Sequence, residues 1–281
     1  MTAPRNPVPT AVHRARGPDG PWDGVQDDLR CHGVALVHAS LAEWLPQRPD
    51  DNGLRRLLGR DWDRYRAQTG RRNAERFRVT RTLLKRVAAA AVGAEPGDLE
   101  LGYALTGRLY VRGCDQVDLN LSHTGDMVLV GVTSLGLIGV DVESSDRALY
   151  GRGGEQRMCT PYELARLEAL PEERRNMRLV RQWTLKEAYT KALGQGLCFP
   201  FDQFGFEVES DPPILQCADG SAAGNPAWSF RSLRAAERYV VGVALYDGGR
   251  GRTRDIALAT TLDVDTVSTV RDVLRASHAA R

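Results

Sequence analysis

Two stretches of this chain echo each other, and a chain that repeats one pattern is constrained to fold as two like units. Val128-Leu129-Val130-Gly131-Val132 parallels Tyr239-Val240-Val241-Gly242-Val243, and upstream Thr82-Leu83-Leu84-Lys85 echoes Thr184-Leu185-Lys186. Helix-then-strands thus occurs twice, with a short insertion in one copy. This predicts two similar α+β halves joined near Ser134-Leu135-Gly136. A chance likeness between two Val-rich strands is the alternative.

The local signals agree with mixed α and β structure. Residues 73–92 place Phe77, Leu83, Leu84, Val87, Ala88 and Val92 at helical spacing, with Gly93 as a stop. Strands are expected at 34–38, 99–105, 117–121, 127–133 and 137–143, and again near 203–208, 227–233 and 238–245. Thr160-Pro161-Tyr162-Glu163 reads as a capping box with Pro at the first helical position. Helix then runs to Leu193, with a break near Pro171, and Gly194-Gln195-Gly196 ends it. Residues 1–30 read as a flexible N-terminal arm, and 256–277 as a short strand and a terminal helix. The domain division is 1–30, 31–134, 135–246 and a C-terminal extension 247–281.

Three carboxylates stand in apolar frames. Asp141 and Glu143, in Leu137-Ile138-Gly139-Val140-Asp141-Val142-Glu143, share one face of a strand. Glu187 and Lys191 lie four apart in Trp183-Thr184-Leu185-Lys186-Glu187-Ala188-Tyr189-Thr190-Lys191 and share one face of a helix. Three oxygen ligands and a lysine suit a hard divalent cation holding phosphates. The bland readings are a solvated strand edge and an ordinary surface ion pair. Asn120-Leu121-Ser122-His123-Thr124-Gly125 is the next signal. Hydroxyls, an imidazole and backbone N–H groups at a strand end can receive a phosphate, or the histidine simply serves its own turn.

Charge is unevenly distributed. The net charge of +2 gives no whole-chain pull toward nucleic acid or membrane. Between Arg55 and Arg86, however, twelve Lys/Arg are opposed only by Asp61, Asp63 and Glu75. That excess requires an anionic partner or plain solvation; no aromatic stacking platform accompanies it, which argues against nucleic acid. The five cysteines are scattered without a C-x-x-C pair, so neither a zinc site nor a disulfide framework is expected. Met1 to Gly24 has no apolar signal region, and no apolar run approaches the roughly 20 residues of a membrane span. The expectation is a cytoplasmic protein.

Taken in order, Leu121-Ser122-His123-Thr124-Gly125, Ile138-Gly139-Val140-Asp141-Val142-Glu143, Trp183 through Ala192, and Gly194-Gln195-Gly196-Leu197 resemble the Sfp-type 4′-phosphopantetheinyl transferase family. Weaker similarity extends from about Arg64 to Tyr246. The resemblance implies a pseudo-dimer of two α+β halves in one chain, with the active site in the cleft between them. It implies a magnesium-dependent enzyme that moves 4′-phosphopantetheine from coenzyme A to a serine of an apo acyl or peptidyl carrier protein, releasing 3′,5′-ADP. By the same resemblance Asp141, Glu143 and Glu187 hold magnesium. Glu187 and Lys191 are the catalytic pair, and Arg81, Ser122, His123 and Lys191 contact coenzyme A. Arg72 and Arg76, from a set that also holds Arg64, Arg66 and Arg71, are assigned to the donor. Gly107-Arg108-Leu109 stands where the family often has Gly-Lys-Pro; Arg108 keeps the charge and is also assigned to coenzyme A. The family reading further implies a monomer with neither nucleic-acid nor membrane partner. Lys186 is expected to be a structural neighbour and Trp183 a core residue. The segment Ser144–Thr160, with Leu149, Tyr150, Met158, Arg147, Arg152 and Arg157, is expected to meet the carrier. Competing functions are a non-catalytic carrier-binding protein, a nucleic-acid-binding module and a magnesium phosphohydrolase.

Overall fold

The long helix of the N-terminal part is dictated by its apolar spacing. The computed structural model describes residues 6–195 and 199–248, and in it Arg71–Val92 is one helix closed by Gly93 in the left-handed conformation (φ +67°). In chain order the elements are β1 (His13–Arg14), α1 (Trp22–His32), β2 (Val34–Ser40), α2 (Leu41–Trp44), α3 (Asp51–Leu58), α4 (Asp61–Arg66) and α5 (Arg71–Val92). There follow β3 (Leu101–Tyr103), β4 (Leu109–Val111), β5 (Asp118–Thr124), β6 (Met127–Thr133), β7 (Gly136–Ser144), α6 (Glu155–Met158), α7 (Pro161–Glu168) and α8 (Glu172–Ala192). The described chain closes with β8 (Phe204–Glu207), β9 (Ile214–Cys217), β10 (Trp228–Ala235) and β11 (Tyr239–Asp247). The architecture is α+β. Among the described residues no helix is long and apolar enough to cross a membrane.

Two sheets carry the fold. The first has the order β1-β2-β6-β5 and the second β10-β11-β7, antiparallel throughout except for β1 beside β2. Strand alternation sorts their side chains into layers. Val128, Val130 and Val132 of β6 join Val79, Leu83 and Val87 of α5 in one core. Met127 and Leu129, on the other face, pack with Ile138, Val140, Val241 and Val243 in a second core between the sheets. Beyond the second sheet lies α8, whose Leu185, Ala188 and Ala192 pack with Phe204, Phe206 and Phe230.

Helix α8 lies unusually close to its sheet. A Cβ at Gly139 would stand 1.9 Å from the Ala188 carbonyl oxygen, and one at Gly242 would stand 2.3 Å from that of Thr184. These two glycines, on β7 and β11, let the helix backbone rest on the strands. Glu187 and Lys191 are thereby brought down onto Asp141 and Glu143.

Several expectations are revised. The segment 1–30 is no flexible arm over its described part: Val8, Ala15, Val25 and Leu29 are buried, and Arg14 pairs in register with His38. Its signal was faint because β1 has two residues and α1 buries only Val25 and Leu29. The repeat, matched letter for letter, also fails in phase. Gly131 faces Ile138 and Val140 of the second sheet, whereas Gly242 faces α8. Valine fills both faces of a buried strand, so a one-residue slip is invisible in the letters. The segment Ser144–Thr160 is folded, and Leu149 is core, buried with Leu167, Leu179 and Val240. The strand and helix expected at 256–277, and the extension from residue 249 onward, lie outside the described residues.

Candidate active site

The site is assembled from the α8-facing side of β7, the outer edge of β5 and the last turns of α8. On β7, Gly139, Asp141 and Glu143 alternate with Ile138, Val140 and Val142, so the close-packing glycine and both carboxylates face the same helix. Asp141, Glu143 and Glu187 are each less than one-tenth exposed. Burying carboxylates at this depth demands partners. Asp141 accepts from Lys191 Nζ (2.6 Å) and from Ser122 Oγ (2.7 Å). Glu143 accepts from Thr124 Oγ1 (2.8 Å) and is paired with Arg147. No described residue donates a hydrogen bond to the Glu187 carboxylate. Burial, and then the negative charge of Asp141, push its pKa up to about 7 against the pull of Lys191 and Arg147.

Strand β5 reaches β7 through side chains instead of backbone. Asp118, Asn120 and Ser122, all on one face, accept from the N–H groups of Ile138 (2.7 Å), Val140 (3.0 Å) and Val142 (3.3 Å). This ladder joins the edges of the two sheets and brings Ser122 to Asp141 and Lys191. His123 lies on the opposite face of β5 and is exposed. Desolvation lowers its imidazole pKa, and the positive charges of Arg76, Lys191 and Arg81 add to the shift. Ser122 and His123, expected together in a turn, thus sit in a strand and serve different sides.

Two cavities lie near this strand. One, of about 230 Å³, is bounded by Arg81, Gly107, Arg108, Asn120, Lys191 and Gly194. The other, of about 200 Å³, is bounded by Arg72, Arg76, Gly125 and Asp126. The predicted basic residues therefore fall into two groups, Arg72 and Arg76 at one cavity and Arg81, Arg108 and Lys191 at the other. Arg81 is held by Asp61 (3.2 Å), which also accepts from the Tyr103 hydroxyl (2.8 Å). Arg64 lies over the Tyr103 ring instead of lining either cavity, and Arg71 pairs with Glu75 in solvent. Arg108 lines the first cavity, but its guanidinium turns to Asp118, to the Ile138 carbonyl (2.8 Å) and to the Lys191 carbonyl.

The neighbours of Glu187 hold the helix in place. Lys186 is fully buried and donates to Glu163 (2.6 Å) and to the carbonyls of Met158 (2.9 Å) and Phe201 (2.6 Å). Glu163 also closes the capping box of α7 with Thr160 and accepts from the Phe206 N–H (2.8 Å). Trp183 is half-buried, edge-on to Phe201, with Arg147 over its ring (5.4 Å). Sequence reasoning missed Asp61 and Asp118, and it gave Thr124 to a phosphate-receiving turn and Arg147 to the carrier where both instead reach Glu143. Only Thr124 carried a readable signal, being two residues from Ser122 on the same strand face.

Three carboxylates are hard oxygen donors of the kind that divalent cations take. Among the described residues no three acidic, His or Cys side chains stand close enough to hold an ion as placed. The set nevertheless fits such a cation in charge: Lys191 and Arg147 supply positive charge to two of the carboxylates, and the third is left with a raised pKa beside Asp141.

A family model described as the 4′-phosphopantetheinyl transferase superfamily matches residues 137–244, the span that holds β7, α8 and both glycines under the helix. HetI of Nostoc sp., a 4′-phosphopantetheinyl transferase, is 31% identical over 173 residues, covering 60% of this chain and 70% of its own. A 4′-phosphopantetheinyl transferase of Bacillus subtilis is 26% identical over 172 residues, covering 61% of this chain and 74% of its own. A phosphopantetheinyl transferase of Thraustochytrium sp. is 26% identical over 200 residues, covering 65% of this chain and 64% of its own. With HetI matched over most of its length, and the matched span coinciding with the carboxylate site, the chain belongs to the 4′-phosphopantetheinyl transferase superfamily.

Proposed function

We propose that this protein transfers 4′-phosphopantetheine from coenzyme A to a serine of an apo acyl or peptidyl carrier protein, releasing 3′,5′-ADP, with magnesium bound by Asp141, Glu143 and Glu187. The observation that supports it best is the seating of Lys191 on Asp141 beside Glu187, with Lys191 and Arg81 lining one basic cavity and Arg72 and Arg76 a second. A long helix against an antiparallel sheet recurs in each part of the chain, in keeping with a pseudo-dimer whose cleft binds the donor. We take the protein to act as a cytoplasmic monomer.

The chain's residues then have separable tasks. Arg72, Arg76, Arg81, Ser122 and His123 bind and orient the phosphates of coenzyme A, and Lys191 places a positive charge at the pyrophosphate. Asp141, Glu143 and Glu187 would hold magnesium, which would supply positive charge to offset that growing on the departing 5′-phosphate of 3′,5′-ADP. The carrier serine Oγ forms a bond to the pantetheine-linked phosphorus as the bond from that phosphorus to the bridging oxygen breaks, and the electron pair leaves with 3′,5′-ADP. Glu187 is the carboxylate placed to receive the serine proton, directly or through a water held beside it. The test is release of 3′,5′-ADP from coenzyme A by the full chain, with and without an apo carrier. Release that requires the carrier and magnesium supports the transferase. Equal release without carrier makes the protein a hydrolase.

A further inference from the structure

Arg108 spends its hydrogen bonds inward. Its guanidinium donates to the Asp118 carboxylate, to the Ile138 carbonyl oxygen (2.8 Å) and to the Lys191 carbonyl oxygen. Both Arg108 and Asp118 are mostly buried, each side chain about one-seventh exposed (14%). Asp118 in turn accepts from the Ile138 N–H (2.7 Å), as the first rung of the ladder between β5 and β7. One ion pair therefore ties three elements: β5 by Asp118, β7 by both backbone groups of Ile138, and the last turn of α8 by the Lys191 carbonyl. A guanidinium at a helix C-terminus is also favoured by the helix dipole. The planar fork of Arg108 holds its donors at fixed angles toward these three acceptors, whereas an ammonium is a point charge on a flexible stem.

What this fixes is the lysine. Lys191 Nζ reaches Asp141 (2.6 Å), Ser122 Oγ (3.1 Å) and the Val140 carbonyl (3.3 Å). Those three partners belong to β7 and β5, the strands that Arg108 and Asp118 hold against the lysine's own backbone. We infer that Arg108 and Asp118 form a positioning clamp that sets Lys191 over Asp141, and that Arg108 acts on the reaction through Lys191, without touching coenzyme A. The inference rests on the proposed transferase reading for its kinetic consequence and on geometry alone for the clamp. It reassigns Arg108, which the resemblance gives to the donor.

The test uses the full chain with Arg108→Lys, Arg108→Ala and Asp118→Ala, and with Arg108→Met/Asp118→Leu. The last removes both charges together, so a protein remains to measure if one lone buried charge unfolds it. Amide hydrogen exchange at Ile138, and at Gly194, whose N–H donates to the Lys191 carbonyl, reads the clamp directly. Calorimetry reads coenzyme A affinity, and turnover reads transfer. The clamp predicts exchange faster by about tenfold or more at both amides, kcat lower by about tenfold, and a loss of coenzyme A affinity no larger than that of Lys191→Ala. Arg108→Lys should fail like Arg108→Ala, and the double variant should be no worse than the singles, since contacting residues are not additive. Weakened coenzyme A binding with kcat intact, restored by Arg108→Lys, overturns the inference in favour of a donor contact. If the wild-type chain transfers nothing, the proposed function fails by itself; unchanged exchange at Ile138 and Gly194 in Asp118→Ala still overturns the clamp.

Discussion

Glu187 is the residue in which fold stability and chemistry conflict. Its carboxyl is buried beside Asp141 with a pKa of about 7, above the ordinary 4.5. The folded state therefore holds a proton that the unfolded state gives up between those values. Stability is undiminished below about pH 4.5, falls as pH rises toward 7, and carries the full cost above it. Replacing Glu187 with Gln removes the ionisation. The variant should be more stable than wild type at pH 8, by on the order of 2 kcal/mol, and no more stable at pH 4. Chemical denaturation at the two pH values checks this. Added magnesium should narrow the gap at pH 8 by stabilising wild type, while the variant loses transfer. Equal stability at pH 8 would mean that the carboxylate is compensated. At this scale the sequence was informative about types and poor about partners. Asp141 and Glu143 share one face, and Glu187 and Lys191 another, by simple periodicity, and the structure seats Lys191 on Asp141 with Glu187 beside them. Arg147, Asp61 and Asp118 reach the site across turns or from distant elements, and nothing in their local spacing reveals that.

Helix α8 is the element on which the site depends, and its position is set from two sides. Below, Gly139 and Gly242 leave no room for a side chain between strand and helix. Above, the buried Lys186–Glu163 pair ties α8 to the start of α7 and to the loop before β8. Gly242→Ala places a methyl group against the Thr184 backbone, which cannot yield as a flexible side chain can. It should cost about 1–3 kcal/mol and lower transfer more than a surface change of equal cost, because the helix carries Glu187 and Lys191. Thermal unfolding beside turnover separates the two effects. Lys186→Met should be harsher, near 3–5 kcal/mol, since it strands a buried carboxylate. A loss below 1 kcal/mol would show Glu163 neutral or rehydrated. The long elements were legible because their apolar spacing is unambiguous: α5, β6, β7, α8 and β11 lie close to their expected bounds. The missed elements are β1, α1 through α4, β4, α6 and β9. They are short, and most bury only one to three residues each, too few to show a period.

On the scale of the whole molecule, the two sheets share one apolar layer and meet at an edge stitched by side chains, and the carboxylates gather beside that seam. We propose that the carrier approaches from the side of Ser144–Thr160. Its apolar residues are largely folded inward, and Arg147 is taken by Glu143 and Trp183, so the exposed Arg152 and Arg157 remain for contact. Reversing both charges should raise the carrier Michaelis constant at low salt and leave coenzyme A affinity alone. The difference should shrink as ionic strength rises, because exposed charges are screened beyond roughly 10 Å at 0.1 M. Unchanged carrier kinetics at low salt would move the docking surface elsewhere. The repeat, whose letters are out of phase with the packing, marks the limit of the letters: hydrophobic pattern places elements, and only packing fixes which face meets which. The central claim is that Asp141, Glu143, Glu187 and Lys191 are the machinery of phosphopantetheine transfer, and intact-mass spectrometry tests it most directly. An apo carrier incubated with coenzyme A, magnesium and the wild-type chain should gain the mass of one phosphopantetheine on its serine. Asp141→Ala, folded and at saturating magnesium, should add none. Full modification by Asp141→Ala, or none by wild type across acyl and peptidyl carriers, would contradict the account.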